Sequence, residues 1–394
     1  MLTGSIPEKQ IFPRLNGEWE RLDIRTVYGR ATRIDAARRV VYPSEGEPLA
    51  YDALLIATGA KAVLPSIPGI ELEGVVTFDT LSDTRQILQR AKKARRAVVV
   101  GGGVTAMELA EGLAARRIKT HYLLRKDRYW GNVLDPVESS MVEHELQQQG
   151  IKLHRRTQVQ EIAGKKNRVS KVITDSGQSI RCEIVGVAIG IRPRIELAQA
   201  AGLEVDRGIL VDQWMRSSDP NIFAAGDVSQ VFDPPSGEYR LDSLWWIAED
   251  QGRVAGTNMA GGDLTYERAV PFNVTRIGGI ITTIIGAVGQ AETDDDLVAI
   301  VHGDSETWRD RLDSFAVESQ SKHSRIRLLI GEETILGAVI MGDQTLSEPI
   351  HELIRTKAKL GRYRDQFMQS PKRAMEILGD YAHRQDGRQL ARAK

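Results

Sequence analysis

The stretch AVVVGGGVTAMELAEGL, Ala97 to Leu113, constrains this chain more than any other segment, because it joins an apolar strand, a GxGxxA loop and a helix without a break. Gly101 permits the tight turn off the strand. Gly103, with Gly102 beside it, lets backbone approach a pyrophosphate, and the small Ala106 lets the helix lie close to the strand. The helix start then offers unpaired N–H groups and a partial positive charge to phosphates. With the next predicted strand, Lys119 to Leu124, this makes a β-α-β unit of 28 residues, the length of a mononucleotide-binding unit. The competing reading is a plain glycine-rich turn between a strand and a helix.

The choice between NAD and NADP falls at the end of the second strand, where a carboxylate would accept from the ribose 2'-hydroxyl and repel a 2'-phosphate. HYLLR puts Arg125 there, followed by Lys126 and Arg128. Three cations where a carboxylate is expected favour NADP(H). Asp127 argues the other way, and an ordinary solvated loop is the alternative.

Bulk properties narrow the classes that remain. The 394 residues are 41% hydrophobic, enough for two or three domains with their own cores. Lys plus Arg and Asp plus Glu both number 53, so no net field points to nucleic acid or to an anionic membrane. The one cysteine, Cys182, excludes a dithiol pair, an iron–sulfur cluster or a cysteine zinc site built from this chain alone. The seven histidines are scattered, with none spaced for a metal site on one helix. MLTGSIPEKQ has neither a basic nor an apolar signal region, and Gly278 to Gly289 is too short to span a bilayer, so a cytoplasmic location without a membrane span is expected.

Elsewhere, Val27 to Ile34 and Arg39 to Tyr42 read as a small antiparallel pair, LLIATGA (Leu54 to Ala60) as a buried strand ending in a glycine turn, and AVLPSIPGI as a linker. Helices are predicted over Thr80 to Lys93, Pro136 to Gln149 and Leu244 to Met259. Ile151 to His154 and Ile184 to Ile189 read as strands, and Val169 to Cys182 as a hairpin turning at Asp-Ser-Gly. Ile209 to Val211 and Ile222 to Ala225 are further strands. Tyr266 to Asp343 reads as a small sheet domain, residues from Ser347 as helical, and the last dozen as a frayed tail.

Four elements in fixed order, LLIATGA with a following IPG, VVVGGGVTAMELAEGL, VGVAIGIRPR and NIFAAGDV, resemble the FAD-dependent pyridine nucleotide-disulfide oxidoreductase superfamily over Tyr51 to Gly262. LGAVIMGDQTL is similar to its NAD(P)H-nitrite reductase large-subunit and rubredoxin reductase branch. The resemblance implies an α/β chain with two Rossmann-like dinucleotide-binding domains, a small α+β C-terminal domain and a helical tail. Its implied division is an FAD-domain segment over 1–68, the NAD(P) domain over 69–187, a return segment of the FAD domain over 188–265, an interface-like domain over 266–345 and the tail over 346–394.

It also implies roles. Thr58 and Gly59 mark the crossing out of the FAD domain, and Gly190 marks the crossing back. Gly226 lets the backbone lie against FAD, and Asp227 hydrogen-bonds its ribityl chain. Glu108 lies near the nicotinamide and flavin N5. The rival assignments are an ordinary helix carboxylate for Glu108 and a turn former for Asp227; Trp245 and Trp246 read as packing in the core or at a domain boundary, with a flavin contact as the alternative. The implied activity is FAD-dependent NAD(P)H oxidation, with electrons passed to a nitrite reductase partner or a rubredoxin- or ferredoxin-like carrier. The alternatives are an NADH oxidase or quinone reductase, and a flavin-free NAD(P)-binding remnant. A homodimer is implied by the interface-like domain.

Two departures from the superfamily matter. There is no cysteine pair, so disulfide chemistry within this chain is excluded, and His351-Glu352 reads as part of an exposed helix rather than a catalytic base. In the superfamily an FAD-binding strand, GxGxxG loop and helix precede the ATG segment by a hundred-odd residues, whereas here ATG stands at 57–59. The expectation is that Met1 is an internal methionine or the first residue of a truncated chain, with weakened retention of FAD.

Overall fold

The computed structural model describes residues 1–12, 17–234, 236–286, 288, 315–320, 324–370, 373 and 376–381. The expected frayed tail lies outside the described residues, as does most of 287–314 within the expected small sheet domain. The chain divides into two compact units. The first comprises Met1–Val63, Asp79–Arg85 and Gly190–Arg268; the second comprises Leu64–Phe78, Gln86–Ile189 and Ala269–Lys394.

The second unit is built on a five-stranded parallel sheet in the spatial order Val75–Val76, Ile184–Val187, Arg96–Val100, Lys119–Leu123, Lys152–His154. Ala97, Val98, Val99, Ile184 and Val185 are fully buried, the near-continuous apolar run of a strand covered on both faces. The glycine loop leaves the central strand at the point where strand order reverses, the usual position of a nucleotide crevice in open α/β sheets. The helix Val104–Ala115 packs closely on the sheet at Gly186, where any Cβ would fall 2.4 Å from Leu109.

Beside this sheet lies an antiparallel meander of Val159–Lys165, Arg168–Thr174 and Ser179–Arg181. The last two are the expected hairpin; the first is an additional strand. Its sequence, VQEIAGK, alternates weakly and contains Gly164, so it carries little strand signal of its own.

The remainder of this unit is an antiparallel sheet in the order Phe272–Ile277, Ile280–Gly286, Ile335–Met341, Arg325–Ile330, Phe315–Gln320. Period-2 alternation sends Ile326, Leu328 and Ile330 into a core with Ile350, Leu353 and Phe367 of the helices Ser347–Arg355 and Arg362–Gln369. Arg325 and Arg327 consequently point to the other face. The hairpin turn at Gly278, with φ +58, docks on the nucleotide module, its N–H lying 3.3 Å from Met107 Sδ.

In the first unit, Leu54–Ile56 pairs in parallel with Ile222–Ala224, and Ala60–Ala62 pairs antiparallel with Ile191–Pro193. Their core includes Ile56, Ile209, Ile222, Phe223, Val254 and Ala255. The strand that starts at Leu54 ends at Ile56, ahead of the expected glycine turn, where Gly59 takes φ +63; Ala60–Ala62 is a further strand beyond that turn. The first antiparallel strand begins at Ala31, not Val27, and Val27 and Tyr28 are exposed. A hairpin of Ser229–Asp233 and Glu238–Arg240, not expected from sequence, follows the AAGD segment.

Candidate functional site

The glycine loop divides sharply between its first residue and the next two. Gly101 has φ +148, and a Cβ there would meet the Ala188 carbonyl oxygen at 2.1 Å and the Ala106 Cβ at 2.8 Å. Around Gly102 and Gly103 an added Cβ would find nothing within 4 Å. The first glycine and Ala106 thus serve close packing, while the next two leave open space over the start of the helix Val104–Ala115. Gly103 is the N-cap of that helix and provides no side-chain cap. Open space, side-chain-free backbone and an uncapped helix start together fit a pyrophosphate.

Behind the loop, the buried Tyr122 donates its hydroxyl to the Gly103 carbonyl at 3.4 Å, and Trp130 donates its backbone N–H to the Gly102 carbonyl at 3.2 Å. Trp130 is buried and sits in the left-handed region at φ +46, a conformation costing about 1–2 kcal/mol for a residue with a Cβ. The surrounding bonds overcome that cost: Tyr129 N–H to Glu143 Oε1 at 2.7 Å, and Ser139 Oγ to the Tyr129 carbonyl at 2.7 Å.

Of the cations after the second strand, Arg125 is exposed and Arg128 is half-buried. Arg128 donates from Nη2 to the Gly131 carbonyl at 3.1 Å, and its Nη1 lies 3.4 Å from Asp127. Gly131 makes room for it, since a Cβ there would fall 2.9 Å from Arg128 Nε.

Glu108 projects from the same helix with its side chain at the surface, on the opposite side from the buried Met107 and Leu109. Surrounding protein nevertheless desolvates the carboxyl, and together with the like charge of Glu111 this raises its pKa above the ordinary glutamate value.

In the first unit the sequence ATG and the GIRPR segment meet. Thr58 Oγ1 donates to the Arg194 carbonyl at 3.2 Å, Arg194 Nη1 returns a bond to the Thr58 carbonyl at 3.2 Å, and Arg194 N–H donates to the Gly59 carbonyl at 2.9 Å. Gly190, at φ +133, accepts from Val63 N–H at 2.9 Å. Thr58, Gly59 and Gly190 therefore share one antiparallel ribbon.

The AAGD turn lies at the end of the strand Ile222–Ala224. Gly226 takes φ +77, and a Cβ on it would lie 3.3 Å from Ala248 Cβ in the helix Trp245–Met259. Desolvation, reinforced by Asp79, raises the pKa of Asp227. A carboxyl held so can accept hydrogen bonds from hydroxyl groups.

A residue not anticipated from sequence fixes this turn. Gln251 is buried, and its Oε1 accepts from Gly226 N–H at 2.7 Å and from Ser229 Oγ at 3.0 Å. The signal available was a glutamine on the apolar side of a helix. The box Asp135-Pro-Val-Glu138 is a second such feature, and one its own sequence signals. Its two side chains and two N–H groups bond reciprocally at 2.8 and 2.9 Å, capping the helix Pro136–Gln148.

Other expectations are corrected. Of the two tryptophans, Trp246 packs against the first unit's core, whereas Trp245 is 74% exposed, which rules out core packing alone of its expected placements. The helix bearing His351-Glu352 is not simply exposed: it buries Ile350, Leu353 and Ile354, with His351 against Phe272 and Glu352 bonded to Arg355. Cys182 is buried, and burial pushes its thiol up to about 12. Among the described residues no group of three or more His, Cys, Asp and Glu is placed to hold a metal ion, and no helix is long and apolar enough to cross a membrane.

The parallel sheet, with its glycine loop where strand order reverses, defines an α/β chain of the nucleotide-binding fold class. Residues 4–252 match the model of the pyridine nucleotide-disulphide oxidoreductase family, and the chain belongs to that family. It is 31% identical over 306 residues to an NADH oxidase of Methanocaldococcus jannaschii, covering 76% of this chain and 66% of that protein. It is 32% identical over 194 residues to a rubredoxin-NAD(+) reductase of Pseudomonas putida, covering 49% and 50%. Among solved structures it is similar to an FAD-dependent pyridine nucleotide-disulphide oxidoreductase from Desulfovibrio vulgaris, with a TM-score of 0.73, 27% identity and coverage of 90% and 89%. The matched regions span between half and two thirds of the length of these two curated relatives.

Proposed function

We propose that this chain is an FAD-dependent NAD(P)H oxidoreductase that passes electrons to a separate acceptor. The observation that carries the reading is the contrast within the glycine loop, closed at Gly101 and open at Gly102 and Gly103 over an uncapped helix start. When bound, the nicotinamide supplies a hydride and the flavin accepts it. The chain's own part is placement and electrostatics. Gly102, Gly103 and the first turn of the helix hold the pyrophosphate, Ala106 keeps the helix against the sheet, and Glu108 orients the nicotinamide. Thr58, Gly59, Gly190, Gly226 and Asp227 line the flavin end, with Asp227 accepting from the ribityl hydroxyls.

Arg125 and Arg128 favour NADPH over NADH, because each adds a cation where a 2'-phosphate would lie. A rubredoxin- or ferredoxin-like carrier, or a nitrite reductase partner, takes the electrons, and the chain works as a homodimer. The Methanocaldococcus relative supports a second reading in which dioxygen is the acceptor, as in an NADH oxidase.

The purified chain should carry flavin absorbance or take up added FAD, and the flavin should bleach faster with NADPH than with NADH. Reoxidation by air would favour the oxidase reading; reoxidation only by a carrier protein would favour the reductase. Nucleotide binding without any flavin uptake would overturn the proposal in favour of a flavin-free NAD(P)-binding chain. Sedimentation would test the dimer.

A further inference from the structure

Arg325 and Arg327 lie about 200 residues from the glycine loop in sequence, on the face of their strand opposite the apolar core. Both are buried or nearly so, and both reach the capping box that opens the helix Pro136–Gln148. Arg327 grips Glu138 with two bonds, Nε to Oε1 at 2.9 Å and Nη2 to Oε2 at 3.1 Å. Arg325 Nη2 meets Asp135 Oδ2 at 2.5 Å. Arg327 Nη2 also donates to the Val133 carbonyl at 2.8 Å.

Val133 belongs to a tight turn that holds two parts of the nucleotide crevice. Its N–H and that of Leu134 both donate to the Trp130 carbonyl at 2.9 Å. From the same turn, Trp130 N–H reaches the Gly102 carbonyl, and the Gly131 carbonyl fixes the Arg128 guanidinium. An unbroken series of bonds therefore runs from Arg327 through Val133 and Trp130 to the glycine loop, and through Gly131 to Arg128. Buried arginine–carboxylate pairs with two bonds fix geometry more strictly than a point charge can, and Trp130 keeps its left-handed backbone only while its neighbours hold it.

We propose that Arg327, supported by Arg325, is a positioning residue for nucleotide specificity: it holds the turn Trp130–Leu134 so that Arg128 faces the 2'-phosphate of a bound NADP(H). This rests on the nucleotide reading of the glycine loop given above. It assigns to the C-terminal sheet a part in choosing the nucleotide, which the β-α-β unit alone does not suggest.

The test is calorimetric titration of the full chain with 2',5'-ADP and with 5'-AMP, which differ only in the 2'-phosphate; it needs no flavin and no turnover. Wild type should bind 2',5'-ADP more tightly. In Arg327→Met that preference should fall by about tenfold, the size of one lost charge-assisted bond, while 5'-AMP affinity changes less than about twofold. Arg327→Lys keeps the charge without the fork and should lie between the two; it replaces Arg327→Met if the latter fails to give a cooperative melt.

Equal preference in wild type and variants would overturn the positioning role and leave the nucleotide reading intact. Parallel loss of both ligands would overturn it in favour of a purely structural role. A wild type that does not prefer 2',5'-ADP would overturn it at the Arg128 step, and one that binds neither ligand would overturn it together with the nucleotide reading.

Discussion

Gly101 and Ala188 approach so closely that a single added methyl on the glycine would lie 2.1 Å from the alanine's carbonyl oxygen. The strand Ile184–Val187 thereby sets which residue is tolerated at the mouth of its neighbour, and Gly101 also occupies φ +148. Gly101→Ala must move backbone against backbone as well as adopt a strained conformation, and should destabilise the chain by about 3 kcal/mol or more. Gly102→Ala and Gly103→Ala meet no atom within 4 Å. They should melt within about 1 kcal/mol of wild type yet lose nucleotide affinity, because the new methyl fills the space the pyrophosphate needs. Chemical denaturation alongside nucleotide titration separates the two kinds of glycine.

Gln251→Leu removes the one side-chain acceptor shared by Gly226 N–H and Ser229 Oγ. The replacement fits the volume but leaves a buried backbone donor unsatisfied, at a cost of about 1–3 kcal/mol. Because that donor sits in the turn carrying Asp227, flavin uptake should weaken beyond what the lower stability explains. Equal flavin affinity in Gln251→Leu and wild type at a temperature where both are folded would count against a flavin role for this turn.

The contrast between these two turns marks what was legible in the sequence. The glycine loop could be read because strand, loop and helix are contiguous, and each step is dictated by local sterics at Gly101, Gly103 and Ala106. Asp227 could be read from the short word AAGD. Gln251, 25 residues beyond Gly226, could be placed on the apolar side of its helix, but its partner in the turn could not, since nothing local links the two. The same holds for Arg327 and Glu138, which are 189 residues apart. The strand Val159–Lys165 is not legible locally, because its pairing with Arg168–Thr174, rather than its own alternation, makes it a strand. What was missed is what only the folded arrangement of distant segments determines.

His121 and His154 occupy adjacent parallel strands, their rings stacked and His121 Nδ1 lying 2.9 Å from His154 Nε2. One nitrogen of that contact must be unprotonated, so the arrangement admits at most one imidazolium without losing the bond. Burial is the main cause that lowers both pKa values; Lys152 adds to it at both, and His154 adds to it at His121. Groups whose folded pKa is depressed contribute stability that is present above the unfolded value of about 6.5 and lost as pH falls. Stability should therefore drop as pH falls below about 6.5, and His154→Gln should flatten that slope. Urea denaturation at half-unit pH intervals checks it, and an unchanged slope would refute the coupling.

Glu108 titrates with the opposite sign. Although its side chain reaches the surface, desolvation by the surrounding protein, with the like charge of Glu111, raises its folded pKa, so the folded state holds the proton more tightly than the unfolded chain. That contribution is full below the unfolded glutamate value and is lost as pH rises through the folded value. At neutral pH the ionised carboxylate is thus a burden on the fold, which a neutral isostere would remove. Glu108→Gln should melt above wild type at pH 7 to 8, with the gap closing as pH falls towards about 4. If Glu108 also orients the nicotinamide, the same variant should slow flavin reduction at saturating NADPH although it is the more stable protein. A residue kept against its effect on stability is what a functional carboxylate on this helix requires. A Glu108→Gln variant that is less stable at neutral pH would show that the carboxylate serves the fold instead.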